Sequence, residues 1–258
     1  KSNLFFLKDT KGVLQSCSIR SIENHSQYTK YELDVPFSLE FGREYIMVEE
    51  HARQFPLQIG RIVKTQRFDE KFYYDGNDLG AVYSKESTVF TLWAPTSTSV
   101  LLNLEKGGEV LLLPMKREEK GIYRVEVKGD LKNASYTYLV KVNGHYNEAC
   151  DPYSYSLTCN GLRSAVIDLS LTKTDLCQNS CTSFLSMTDA IIMEANVRDF
   201  TSFRNLELKN KRGTFKAMAE NGLRLNGYTV GIDYLKELEI THVQLQPVME
   251  YVTVDEEN

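Results

Sequence analysis

The chain has 258 residues and 29.6 kDa, sets 30 Lys and Arg against 35 Asp and Glu for a formal charge of −5, and is 42% hydrophobic. At roughly 150 residues per domain that length predicts about two domains, with enough core to need no disulfide or metal staple. A sequence pI near 5.5 without clustered Lys or Arg argues against a nucleic-acid partner, because neutralising phosphates takes local positive charge. The longest apolar runs, at 110–113 and 190–193, fall far short of the ~20 residues that cross a bilayer, so no membrane span is expected.

The chain starts at Lys1 with no charged-then-apolar leader, so a targeting peptide is expected to be absent or to lie outside it, and a cytoplasmic location follows as an expectation. The five cysteines, Cys17, Cys150, Cys159, Cys177 and Cys181, are odd in number, and reduced thiols are the simplest reading. Cys177 and Cys181 have a zinc-like spacing, but nothing nearby supplies the other half of a tetrahedral site.

In chain order, short β-favouring runs at 4–7, 31–35, 45–48 and 61–64 alternate with turn chemistry such as Asp9-Thr10-Lys11-Gly12. They predict a small antiparallel β domain over 1–66. The pattern sharpens at 88–93, 99–104, 110–113, 121–127 and 136–142, with turns at Lys106-Gly107-Gly108 and Asn143-Gly144. Short strands of period two predict a β-sandwich over 67–170. Within it Tyr123, Val125 and Val127 face one way and Arg124, Glu126 and Lys128 the other. Residues 171–188 show neither period and read as a linker. From 189 to 258 a strand at 191–197, a helix at 214–220 closed by Asn221-Gly222, helical spacing of Ile232, Leu235 and Leu238, and a strand at 242–246 form a strand, crossover, strand unit. One such unit cannot bury its own sheet, so this third part reads as the incomplete opening of a larger parallel sheet or barrel.

Candidate chemistry is sparse. Glu194, Asn196 and Arg198 share one face of the first parallel strand, where barrels build sites near strand ends. An ion pair of Arg198 with Asp199 or Glu194 is the stronger reading. Glu250, Asp255, Glu256 and Glu257 read as a solvated charge run rather than a catalytic pair. Trp93, the only tryptophan, raises sugar stacking, although a strand-end indole before Ala94-Pro95 is expected to be buried. His25, His51, His145 and His242 are scattered and read as structural. Neither a phosphate loop nor a nucleophile elbow is present.

The run Phe68 to Ala81, reading FDEKFYYDGNDLGA, resembles the signature that introduces the sandwich of type I pullulanases, members of the α-amylase clan in glycoside hydrolase family 13. FTLWAPT at 90–96, Asp151-Pro152-Tyr153 and Asn160-Gly161-Leu162-Arg163-Ser164 are similar to later motifs of that sandwich, a family-48 carbohydrate-binding module. EANVRDFT at 194–201 resembles the first barrel strand of the family, and GIDYLKEL at 231–238 with THVQLQPV at 241–248 resembles the following helix and second strand. The resemblance implies a mostly β chain: two N-terminal β domains, the second immunoglobulin-like, then the truncated start of a (β/α)8 barrel.

It further implies endo-hydrolysis of α-1,6-glucosidic links in pullulan, glycogen or amylopectin with retention, and an α-glucan as partner. No cofactor is required, while a structural calcium stays open. The family's catalytic Asp, Glu and second Asp follow the fourth, fifth and seventh barrel strands, so no catalytic residue is assigned here and this chain alone is expected to be inactive. Asn196 and Tyr251, beside the ends of the two strands, and Trp93 are the substrate-binding candidates. The family usually has His where this chain has Asn196. A non-catalytic glucan-binding or scaffold protein is the alternative, and isoamylases and glycogen branching enzymes share the plan without the opening motif.

Overall fold

Alternation begins with β1 (Phe5–Lys8), whose Phe5 and Leu7 are buried. The computed structural model describes residues 3–9, 11–173, 186–246, 248 and 255–257. In it β1 pairs antiparallel with β2 (Leu14–Asn24) and β4 (Ile46–Glu49), with β3 (Thr29–Asp34) and β5 (Gln54–Pro56) outside them in the order β3-β2-β1-β4-β5. Phe5, Leu7, Cys17 and Tyr45 form its hydrophobic cluster. The strand expected at 61–64 is instead an exposed 3-10 turn, Ile62–Lys64. None of its side chains is buried, and the Thr65 hydroxyl next to it accepts from Phe68 N at 3.3 Å. That cap starts a helix, α1 (Gln66–Phe72), so extension stops there. The helix buries Phe68 and Phe72 against Phe41.

The sandwich follows. One sheet runs β10 (Lys116–Arg117), β11 (Ile122–Lys128), β7 (Ser87–Trp93), β6 (Gly80–Tyr83); the other runs β13 (His145–Ala149), β12 (Ser135–Val142), β8 (Ser99–Lys106), β9 (Glu109–Pro114), with β14 (Ser164–Ala165) also on β12. Phe90 and Leu92 from the first sheet meet Val100, Leu102, Leu104, Tyr136 and Tyr138 from the second, the alternation that two half-wet sheets impose. Along β11, Tyr123 is buried while Glu126 and Lys128 are exposed, as the period predicts.

A carboxylate lies inside this core. Asp151 is 4% exposed and accepts from the Tyr136 hydroxyl at 2.8 Å, the Tyr138 hydroxyl at 3.3 Å and Tyr153 N at 2.8 Å, while its own N–H donates to Ser164 Oγ at 2.8 Å. Burial, with the Asp151 charge adding to it, drives both phenols well above the ordinary tyrosine range. They remain neutral donors, which is what a buried carboxylate needs.

The chain divides into two compact units, residues 1–172 with 255–258, and residues 173–254. The boundary expected after residue 66 falls between two sheets and two hydrophobic clusters inside the first unit. Within the expected linker, residues 174–185, with Cys177 and Cys181, lie outside the described residues. Cys17, Cys150 and Cys159 carry free thiols. In the second unit β15 (Ile192–Ala195) pairs parallel with β18 (His242–Leu245), Ile192 opposite His242 and Ala195 opposite Leu245. Between them stand α2 (Phe215–Met218), capped by the Thr214 hydroxyl, a hairpin of β16 (Arg224–Leu225) and β17 (Tyr228–Thr229), and α3 (Ile232–Glu237). The helix expected at 214–220 is thus a single turn, and the hairpin is one the spacing did not suggest. Among the described residues no helix is long and apolar enough to cross a membrane.

Two stability outcomes follow. Gly121 has φ +75° and an added Cβ would stand 2.4 Å from Pro95 Cα, whereas at Gly144, φ +83°, it would meet nothing within 4 Å. Both alanine variants pay the left-handed strain of about 1–2 kcal/mol, and Gly121→Ala adds displacement of Pro95, so urea denaturation should rank Gly121→Ala clearly below Gly144→Ala. Asp151→Ala leaves two buried phenols and an amide unpaired and should lose about 3 kcal/mol or more. Tyr138→Phe removes only the longest of these bonds and should lose about 1 kcal/mol in the same measurement.

Candidate functional site

Trp93 ends β7, one residue past the inward-facing Leu92, so the strand's own period turns its indole outward. Trp93 is 40% exposed, which corrects the expectation of burial. Phe90 and Leu92 already fill the interior, and the indole N–H is satisfied at the surface by the Phe72 carbonyl at 2.9 Å. That bond fixes the ring against the end of α1.

Around it opens a cavity of about 240 Å³ whose walls include Asp69, Phe72, Tyr73, Tyr74, Trp93 and Tyr153. Tyr73 is 66% and Tyr153 53% exposed. The Tyr74 hydroxyl donates to Asp78, and Asp78 in turn pairs with Arg124 at 2.8 Å. The Tyr74 hydrogen bond foremost, with Arg124 adding to it, holds the Asp78 carboxyl below the ordinary carboxylate range despite partial desolvation, and the same bond raises the Tyr74 phenol. Tyr153 is set by its N–H on Asp151. Among the described residues the Asp69 carboxylate and the Tyr73 and Tyr153 hydroxyls carry no hydrogen bond or ion pair. Flat rings with open faces, rimmed by unpaired hydroxyl and carboxylate oxygens, suit a ligand that offers both C–H faces and hydroxyl groups.

The second unit treats its candidate differently. Asn196 stands just past β15, and its Oδ1 accepts from Arg198 N at 3.0 Å and Asp199 N at 3.1 Å. The side chain thus turns the backbone into the 3-10 segment Asp199–Thr201, which is why the strand expected to reach 197 stops at Ala195. Arg198 reaches Asp199 at 3.9 Å with both side chains well exposed, the ion pair expected there. Tyr251 and Glu250 lie outside the described residues. Trp93 belongs to the first unit and Asn196 to the second. Among the described residues no three or more His, Cys, Asp and Glu are grouped to hold a metal ion.

Sequence reasoning passed over Tyr73, Tyr153 and Asp69. Tyr73 and Tyr153 sit inside turn-bearing runs, Tyr73-Tyr74-Asp75-Gly76 and Asp151-Pro152-Tyr153, and large aromatics in turns are the available signal, since turns run over the surface.

Comparison with known proteins places these features. Residues 1–64 match the pullulanase N1-terminal domain, and residues 78–154 match carbohydrate-binding module 48, the isoamylase N-terminal domain. The chain is 36% identical over 239 residues to the pullulanase of Bacillus subtilis strain 168, covering 86% of this chain and 32% of that protein. The crystal structure of pullulanase from Anoxybacillus sp. LM18-11 complexed with maltotriose superposes with a TM-score of 0.88 at 41% identity, over 100% of this chain and 37% of that one. The pullulanase of Paenibacillus barengoltzii in complex with maltohexaose and alpha-cyclodextrin gives 0.66 at 39% identity, over 73% and 30%. The chain spans about a third of the length of the relatives it matches. With both N-terminal domain types of these enzymes in order, the chain matches the N-terminal third of type I pullulanases.

Proposed function

We propose that this chain is the N-terminal region of a debranching hydrolase that cleaves α-1,6-glucosidic links in pullulan, glycogen or amylopectin with retention of configuration. The observation that carries the reading is the parallel pairing of β15 with β18 downstream of a carbohydrate-binding module. Apolar side chains on both strands stay exposed, with Ile192 at 60%, Val243 at 37% and Leu245 at 38%, while Ala195 is buried. Parallel strands are covered on both faces in stable proteins, so this pair fits the opening of a (β/α)8 barrel and not a finished sheet. A retaining glycosidase holds a nucleophilic carboxylate and a protonated carboxylic acid ~5 to 5.5 Å apart on rigid elements, and the two strands supply at most the rim of such a site. On this reading Asn196 shapes the turn at the first strand's C-terminal end, beside the substrate. The residues of the Trp93 cavity serve as an accessory surface for the α-glucan.

Two measurements test it. Assayed for reducing ends on pullulan at equal concentration, the 258-residue chain should release none, while the same chain continued through an eight-strand barrel should release maltotriose. Release by the short chain would mean that its own carboxylates are catalytic. No release by the longer one would leave a glucan-binding or scaffold protein.

The second concerns the sandwich. Each stacked ring contributes on the order of 1 kcal/mol, so maltoheptaose should bind this chain with only about millimolar affinity. Trp93→Ala should weaken that binding about fivefold to tenfold in calorimetry with the thermal midpoint little changed. Unchanged affinity would remove Trp93 from the surface.

A further inference from the structure

Two stretches noted in the sequence find no use in the cavity or the parallel strands: Asn160-Gly161-Leu162-Arg163-Ser164 and the acidic run Asp255-Glu256-Glu257. The structure joins them. Asn160 sits in the tight turn Cys159–Gly161 with φ 59° and ψ 19°, a left-handed conformation that asparagine tolerates better than most residues. The turn is held firmly. Thr158 N donates to the Arg163 carbonyl at 2.9 Å, Arg163 Nε to Ser135 Oγ at 2.9 Å and Arg163 NH2 to the Asn103 carbonyl at 2.8 Å, while Ser164 Oγ receives Asp151 N at 2.8 Å.

From this fixed turn Asn160 makes three bonds to the acidic run. Its Oδ1 accepts from Glu256 N at 2.8 Å, its Nδ2 donates to Asp255 Oδ1 at 3.2 Å, and its backbone N–H donates to Glu256 Oε2 at 2.8 Å. Asp255 Oδ1 also accepts from Glu257 N at 3.0 Å, which shapes the acidic run itself. A side-chain amide carries a donor and an acceptor in one plane, so it closes on a backbone N–H and a carboxylate together. Aspartate in its place would keep the acceptor, lose the donor and set a third negative charge beside two carboxylates. The run is exposed, as expected of charged residues, but it is not free: residues 255–258 belong with the first unit.

We propose that Asn160 is a positioning residue, a clip on the sandwich that fixes the segment Asp255–Glu257 following the second parallel strand. Its bearing on catalysis rests on the debranching reading, because in a barrel the segments after the strands' C-terminal ends wall the substrate site. The clip itself does not depend on that reading and is tested without substrate.

The test is amide hydrogen exchange by NMR on the 258-residue chain, read at Glu256, whose N–H Asn160 accepts. Asn160→Gly keeps the left-handed turn and removes the side chain; Asn160→Asp removes only the donor and adds charge. Both should raise the Glu256 exchange rate roughly tenfold, the equivalent of about 1.4 kcal/mol, with amides of β12 and the thermal midpoint unchanged. Combining Asn160→Asp with Asp255→Asn restores a donor facing an acceptor and should recover much of the protection. Equal Glu256 exchange in the parent and the glycine variant would overturn the proposal. So would faster exchange spread evenly over the sandwich, or failure of the paired exchange to recover protection. Because no glucan is present, a negative result on pullulan and a negative result here are separate outcomes.

Discussion

A buried carboxylate must be surrounded by donors or it unfolds its own surroundings, and in the first unit this constraint falls on Asp151. Two phenols from β12 meet it from the core, Tyr153 N meets it from the following turn, and its N–H is taken by Ser164. These bonds tie both ends of the segment 151–164 to the sandwich. One end carries Tyr153, a wall of the Trp93 cavity. The other carries Asn160, which holds the acidic run. The Asn160 turn is held in addition by Arg163, on Ser135 of β12 and the Asn103 carbonyl of β8.

The sandwich strands were legible because each has one dry and one wet face, so period two is written in residues such as Tyr123, Val125 and Val127 against Arg124, Glu126 and Lys128. The same rule failed where it had no face to act on. The run at 61–64 is β-favouring in composition but buries nothing, and the hydroxyl of Thr65 turned the chain into a helix instead. β2 escaped notice for the opposite reason. Its Ser16, Ser18, Arg20 and Ser21 are polar, and a register shift between Ile19 and Ser21 breaks the alternation midway.

Trp93 shows why a site is harder to read than a strand. Composition favours burial of a lone tryptophan, and the period of β7 contradicts it, since Leu92 already points inward. The period was the better guide. Asn196 was legible as a polar residue past a strand end, but the use of its oxygen by two backbone N–H groups was not, because that depends on the turn that follows. Asn160 was visible only as part of a motif. Its partners lie 95 and 96 residues away, and no local pattern announces a pairing at that distance.

The arrangement of the cavity bears on how it would bind. Association loses free energy whenever mobile side chains must be ordered, at about 0.5–1.5 kcal/mol for each long one. Here much of the wall is ordered beforehand: the indole of Trp93 by the Phe72 carbonyl, Tyr74 by Asp78, and the Tyr153 backbone by Asp151. The side chains of Tyr73, Tyr153 and Asp69, without hydrogen bonds among the described residues, remain to be fixed by a ligand. A few stacked rings without charge complementarity give modest affinity, yet with little ordering penalty the contact forms and breaks readily. Ready release follows from the same preorganisation, and a tighter surface would hold its ligand longer.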